Sequence, residues 1–492
     1  MARRPRQEWL VGAALFAATV VTRMPFRSQV LIGGDSINYA RSLERYSIAD
    51  DSPHSPGYIL YVAAARIVSY FLENPNSSLV ALSILCAALS TAAIYFVGRR
   101  LFDEATGITA AVLLLFSPLF WYESEVALSH IVELPWALVS VWLLYRLFFE
   151  RRNAVLLAVV IGISGGFRQD VLMFLAPLWL MGTFRVGRRE MLLSWAAMFV
   201  SVLAWLTPVI YLSGGLWEFL GAGGAHFSES TSRTFFFSTG AEGLLMNIEE
   251  IWWAMLWLLG SVLIIMFPVA IGALLRLKQV RQWPDKRIVF LAVLTAPALL
   301  FFTLINFSHP GYLLIVAGPV LLLIARALTR SATHLTQVLQ KKAEIAVTLN
   351  AALLVVFLLP VSGINAYLFI KAPDINWRVP PGGNTVASLY GNFSASGIHD
   401  DALQTESAVS LVKEYSAIDT LVACFPTPSL KTQYFIDCRR FAYLLPDYRM
   451  ATLDPGILAD YLNGGENTLN TAALISGIAS SARMQGEFKR II

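Results

Sequence analysis

Charge and cysteine are scarce in this chain. Of its 492 residues, 14% are charged and three are cysteines. A soluble domain carries about 25% charged residues, so the scarcity excludes an ordinary soluble enzyme. It also excludes a disordered chain, which needs low hydrophobicity and high net charge. Three cysteines exclude a disulfide scaffold. The net charge is only +4, and no nucleic-acid partner is expected.

Apolar residues make up 56% of the chain. They recur in runs of about 20, the length that crosses a bilayer. The reading is a polytopic α-helical membrane protein with about 11 transmembrane helices. The first run is Trp9–Phe26, behind the basic start Arg3-Arg4-Pro5-Arg6. It continues into Arg23-Met-Pro-Phe-Arg27 without a small-residue cleavage site, so it reads as an uncleaved helix. Eight later spans are Ser78–Gly98, Thr106–Tyr122, Leu134–Phe149, Met191–Leu212, Trp252–Leu275, Ile288–Ile305, Tyr312–Ala325 and Ile345–Ile370. Ala154–Phe184 is broken by Phe167-Arg-Gln-Asp170 and reads as two half-spans meeting at a turn.

Pro56–Leu72 is ambiguous, because counting it as a span inverts every helix after it. Loop charges decide. With this segment on the membrane surface, 20 Lys and Arg residues fall on cytoplasmic loops and six on outer ones, a strong positive-inside bias. Residues 28–77 then form a first outer loop with an interfacial helix, and residues 213–251 a second. The amino terminus is cytoplasmic in a cell (inner) membrane. The chain divides into a membrane domain, 1–371, and an extracytoplasmic domain, 372–492. In the latter, Asp419–Phe425 and Thr468–Ile475 read as strands and Glu406–Tyr415 as an amphipathic helix, giving a small α/β lobe. Cys424 and Cys438 are open to pairing there or to lying as separate buried thiols; Cys86 reads as packing within a span.

Ionisable residues near a membrane are costly, so their placement carries functional information. They gather on the outer side. The first loop holds Gly33-Gly-Asp-Ser-Ile-Asn-Tyr-Ala-Arg41 and Ser52-Pro-His-Ser-Pro-Gly-Tyr58. The third span ends in Trp121-Tyr-Glu-Ser-Glu125, followed by His130 and Glu133. Arg168 and Asp170 occupy the half-span turn, His226 the second long loop, and Asn306-Phe-Ser-His-Pro-Gly-Tyr312 a late turn. One outer cavity lined by carboxylates, imidazoles and arginine accommodates all of them.

In their order and spacing these motifs resemble the GT-C superfamily of membrane glycosyltransferases, in the branch of protein O-mannosyltransferases and the lipid A aminoarabinose transferase. Asp35-Ser-Ile-Asn-Tyr39-Ala-Arg41 resembles the segment of the family that opens the first outer loop with a catalytic acid. His54-Ser-Pro56-Gly-Tyr58 stands where the family has a Pro-rich turn before an interfacial helix. Arg168 resembles a basic residue at a membrane-embedded turn, His226 after Trp217 a loop histidine, and Pro310-Gly-Tyr312-Leu313 a late Pro-x-Tyr-Leu turn. The sequence departs from the pattern at Ser36, where relatives carry a second acid, and at Pro53, where some carry a carboxylate.

The resemblance implies transfer from a polyprenyl-phosphate sugar donor to a glycan, lipid or protein acceptor. It implies Asp35 as general base, and Arg168, His309, Tyr312 and Arg41 around the donor phosphate. Glu133, Asp170, Tyr39 and Trp217 then line the cavity, and His226 with His54 would hold a divalent metal. Plainer readings stand beside these. Asp35 also fits a helix cap, Arg168 with Asp170 a structural ion pair, and Glu123 with Glu125 solvated residues at a span end. A transporter or lipid flippase and a non-catalytic scaffold are the alternative functions.

Overall fold

The computed structural model describes residues 5–264, 285–339, 343–379, 384–417, 420–424, 438–452 and 490–491. Among them, six helices are long and apolar enough to cross a membrane: Pro75–Leu101, His130–Glu150, Arg188–Leu212, Lys286–Leu304, Pro310–Gln337 and Leu349–Asp374. The chain is thus a multi-pass helical membrane protein. The expected span Trp252–Leu275 runs partly outside the described residues.

The amino-terminal helix α1 (Pro5–Arg23) packs on α4 (Pro75–Leu101). Arg23 closes α1 and is fully buried. Its guanidinium donates to the Leu115 carbonyl (2.6 Å) and to Ser124 Oγ (3.0 Å) and lies over the Trp121 ring at 4.4 Å. Pro75 and the Asn74 side chain, which accepts from the Ser77 amide at 3.0 Å, start α4. That pairing is a favoured helix opening. The following helix, α5 (Glu104–Leu115), crosses α4 so closely that a Cβ on Gly98 would lie 2.8 Å from Gly107 Cα. Glycine is required at that crossing.

Three departures from long helices position the site. First, α2 (Gly33–Glu44) follows the first span, and α3 (Ile59–Ser69) lies between α2 and α4. Eleven residues rise about 16 Å, too little for a bilayer, so α3 does not span. Second, the expected helix Thr106–Tyr122 is two pieces, α5 and α6 (Pro118–Glu123). Ser117 precedes Pro118, which disfavours helical geometry at the serine, and Pro118 then opens the new helix. Third, α8 (Ala154–Phe167) and α9 (Gln169–Thr183) meet at Arg168, whose backbone is extended at φ −151°, ψ 136°. Between α6 and α8 stands α7 (His130–Tyr145), and after α9 come α10 (Arg188–Leu212) and α11 (Leu216–Thr231).

Beyond Lys371, helix Ala395–Lys413 includes most of the expected helix Glu406–Tyr415. A parallel three-stranded sheet of order β2-β1-β3 follows, with β1 Thr420–Cys424, β2 Arg449–Thr452 and β3 Arg490–Ile491. Strand β1 is the one expected at Asp419–Phe425, and it pairs Leu421 with Arg449 and Thr420 with Arg490. Val412, Val422, Phe441 and Leu445 form its small core. The expected strand Thr468–Ile475 and the side chains of Cys424 and Cys438 lie outside the described residues. Cys86 is a buried free thiol.

Candidate active site

A cavity of about 770 Å³ is lined by residues from α2, the Pro-rich turn, α7, the α8–α9 break, α11 and the late turn. Six residues singled out in the sequence line it together: Asp35, Tyr39, His54, Arg168, His226 and Tyr312.

Asp35 lies in the first turn of α2. The helix begins at Gly33 after Ile32, so Asp35 does not cap it. Asn38 and Tyr39 sit one turn further along the same face and also line the cavity. The Asp35 side chain is 53% exposed, and its Oδ1 lies 3.6 Å from His54 Nδ1. Seclusion in the cavity works to raise its pKa. The imidazoles of His54, His130, His309 and His226 outweigh that and hold the carboxyl below its usual range. His226, half-buried, faces His54 with ring centroids 5.1 Å apart. Burial first and His54 second lower its pKa.

Arg168 is buried behind this surface. Its Nη2 donates to Asp170 Oδ2 at 2.5 Å, and its Nε lies 3.3 Å from Glu133 Oε2. Nη1 donates to Ser129 Oγ at 2.9 Å, and Ser129 Oγ also shares a hydrogen bond with Tyr39 OH at 2.8 Å. The rings of Tyr58 and Tyr312 flank the guanidinium at 5.8 and 5.5 Å. Glu133 and Asp170 therefore stand behind Arg168 rather than in the cavity wall. The ion pair and the cavity-facing guanidinium are one arrangement.

Two further expected residues, besides Glu133 and Asp170, do not join the cavity. Arg41 is exposed; six residues from Asp35, it lies about 110° off the face formed by residues 35, 38 and 39. Trp217 is 79% exposed. It precedes His226 by about two and a half helical turns, which puts it on the opposite face of α11.

The expectation that Glu123 and Glu125 are solvated is overturned, since both are fully buried at 0% exposure. The broken helix turns α6 inward, so Trp121 Nε1 donates to Glu125 Oε1 at 2.7 Å and His130 Nδ1 lies 3.2 Å from Glu123 Oε2. His309 Nδ1 is 3.5 Å from Glu123 Oε1, and its ring stacks on His130 at 4.3 Å. His309 is not among the residues lining the large cavity, but it stacks on His130, which is, and shares a small gap with Asp35. Ligand atoms of Glu123, His130 and His309 lie within 4.8 Å of one another, the set of three among the described residues that could hold a metal ion. The donor set fits one: a carboxylate and two imidazoles suit a zinc-like ion, and Glu123 Oε1 is buried without a hydrogen bond. His309 Nδ1, 3.5 Å from Glu123 Oε1, accepts from the Gly311 amide at 3.0 Å, so an ion bound there would take the lone pair from that amide. The pair expected to hold a metal, His226 and His54, faces the cavity instead. Sequence reasoning also passed over Ser129, which nothing but position distinguishes from other serines.

Residues 54–212 match the family model described as dolichyl-phosphate-mannose-protein mannosyltransferase. A comparison with curated proteins finds no match. Among solved structures, the chain is similar to ArnT from Cupriavidus metallidurans bound to undecaprenyl phosphate, with a TM-score of 0.51 and 12% identity over 93% of this chain and 95% of that one. The apo state of ArnT from the same organism gives a TM-score of 0.50 and 13% identity over the same shares. The likeness in sequence to that mannosyltransferase family thus covers residues 54–212, and the likeness in fold to ArnT covers 93% of the chain.

Proposed function

We propose that the chain moves a sugar from a polyprenyl-phosphate-linked donor to an acceptor hydroxyl at the outer face of a cell membrane, with Asp35 as general base. The observation that carries this reading is that a carboxylate, Asp35, and a guanidinium, Arg168, line one open cavity. The structure of ArnT with undecaprenyl phosphate supports a donor of that lipid class. In this reading the amino terminus is cytoplasmic, and residues 372–492 form an extracytoplasmic domain.

The acceptor oxygen attacks the anomeric carbon while Asp35 takes its proton. The bond from that carbon to the phosphate oxygen breaks, its electrons leave with the lipid phosphate, and the configuration inverts. Asp35 is suited to the role because its histidine neighbours keep it ionised. Arg168 meets the charge that grows on the phosphate. Asp170, Glu133 and Ser129 already fix its fork, so little reorganisation accompanies the reaction. Tyr312 holds the guanidinium from one side, and His309 reaches it through His130. Glu123, His130 and His309 would hold a divalent ion beneath the cavity, which would supply further positive charge.

Asp35→Asn tests the reading in membranes supplied with a polyprenyl-phosphate sugar. Transfer should fall by at least about 100-fold, the scale of a lost general base. Transfer at the wild-type rate would remove Asp35 as base.

A further inference from the structure

Far from the cavity, three segments of the chain meet: the turn Arg146–Glu150 that follows α7, the start of α8, and the connection from α9 to α10. Helices α8 and α9 each run about 20 Å from Arg168, which reaches the cavity, to this junction. Hydrogen bonds knit it together. Arg185 Nη1 donates to the Phe148 carbonyl at 2.7 Å, the Ala154 amide to Glu190 Oε1 at 3.3 Å, and Ser194 Oγ to the Ala154 carbonyl at 2.8 Å.

The junction gathers six arginines, Arg146, Arg151, Arg152, Arg185, Arg188 and Arg189, against two acids, Glu150 and Glu190. Both acids are engaged, Glu150 by Arg146 at 3.0 Å and Glu190 by the Ala154 amide. Arg151, Arg152, Arg188 and Arg189 are exposed, and among the described residues no acid pairs with them. Other arginines at this end of the helices do have acids. Arg99 pairs with Glu8, Arg326 with Asp103, and Arg330 with Asp285 at 3.4 Å. A bias of basic loops toward one side of a membrane does not require unpaired charge to collect at one junction. Beside the arginines stand exposed apolar side chains, Phe149, Phe184, Leu192 and Leu193. A band of cations thus borders an apolar surface.

We propose that this junction binds an anionic phospholipid of the bilayer, with its phosphate on the arginines and its acyl chains along the apolar side chains. Guanidinium groups grip phosphate with two parallel hydrogen bonds, and basic clusters at the ends of transmembrane helices suit anionic headgroups. A zwitterionic lipid brings its own cation beside the phosphate and gains less from four unpaired arginines. A free phosphate would leave the apolar border without a partner. The site is separate from the cavity and does not depend on what reaction the cavity supports.

The test is native mass spectrometry of the full chain in neutral detergent, titrated with dioleoyl phosphatidylglycerol or dioleoyl phosphatidylcholine. Phosphatidylglycerol should bind saturably and at least about tenfold more tightly than phosphatidylcholine. Arg151→Gln combined with Arg188→Gln should weaken its binding by about 30-fold, the scale of two lost cations. Arg151→Lys combined with Arg188→Lys keeps the charge and should retain most of the affinity. Arg27→Gln combined with Arg45→Gln removes two exposed arginines that flank α2 and should leave binding unchanged. Equal binding of the two lipids, or equal loss in the two glutamine pairs, would overturn the proposal. Competition by millimolar inorganic phosphate that displaces the lipid completely would assign the arginines to a free anion and overturn it as well.

Discussion

Arg168 and Asp170 are locked together across the break between α8 and α9, Nη2 to Oδ2 at 2.5 Å, while Glu133 approaches the same guanidinium from α7 at 3.3 Å. One cation thus stands between two acids, one of them fully buried and held by charge without a hydrogen bond. Arg168→Ala leaves Glu133 as an uncompensated buried acid, a change that costs about 3–5 kcal/mol. Arg168→Ala combined with Glu133→Gln should recover much of that stability and no activity, because the guanidinium on the cavity is still missing. Thermal unfolding in detergent, measured beside sugar transfer, separates the two effects. Recovery of transfer in the double variant would show that Arg168 serves only as a counter-ion.

The pH profile should carry the mark of the histidines around Asp35. Its pKa is lowered, so the carboxylate persists below the usual carboxylate range, and as a base it is lost only when the pH falls through that lowered value. The acid limb of kcat/KM due to Asp35 should therefore lie below that of an ordinary aspartate. His54 does most to hold the value down. His54→Ala should move the acid limb upward while leaving the rate on the plateau within about tenfold. A limb that stays in place would separate His54 from the base.

How much was legible in advance depended on how local each signal was. That Pro56–Leu72 is not a full span could be read because the loop charges, 20 basic residues against six, argued against one, and α3 is only 11 residues long. The break at Arg168 was legible because the polar triplet Arg168-Gln169-Asp170 interrupts an apolar run. The burial of Glu123 was not. It depends on Ser117-Pro118 splitting an apolar stretch that looks continuous, and on His309, which reaches it from a turn far along the chain. The misplacement of Trp217 has a different cause. Its spacing from His226 was matched to a loop, whereas both residues lie on one helix, α11, where that spacing means opposite faces.

Gly311 makes the late turn fit beneath the cavity. A Cβ there would stand 2.7 Å from Glu123 Oε1 and 2.7 Å from His130 Cγ. Both neighbours are buried, so neither can swing into solvent. Gly311→Ala should cost about 1–3 kcal/mol through overpacking and should disturb the Glu123–His130 contact, lowering transfer as well as the unfolding temperature. Gly187, with nothing within 4 Å of its added Cβ, provides the control. Gly187→Ala should leave both readouts near wild type.

The Glu123, His130 and His309 cluster gives a prediction independent of turnover. Its ligand atoms already lie within 4.8 Å of one another, and Glu123 Oε1 lacks a hydrogen bond. Zinc added to the purified chain and then dialysed should remain at about one equivalent per chain. His309→Gln keeps a polar side chain of similar reach but removes an imidazole, so it should weaken retention by at least about tenfold. His226→Gln should not, because His226 belongs to the cavity wall and not to the buried cluster. Metal content by atomic emission reads these outcomes directly. Retention lost in His226→Gln and kept in His309→Gln would move the metal to the cavity, beside His54 and Asp35.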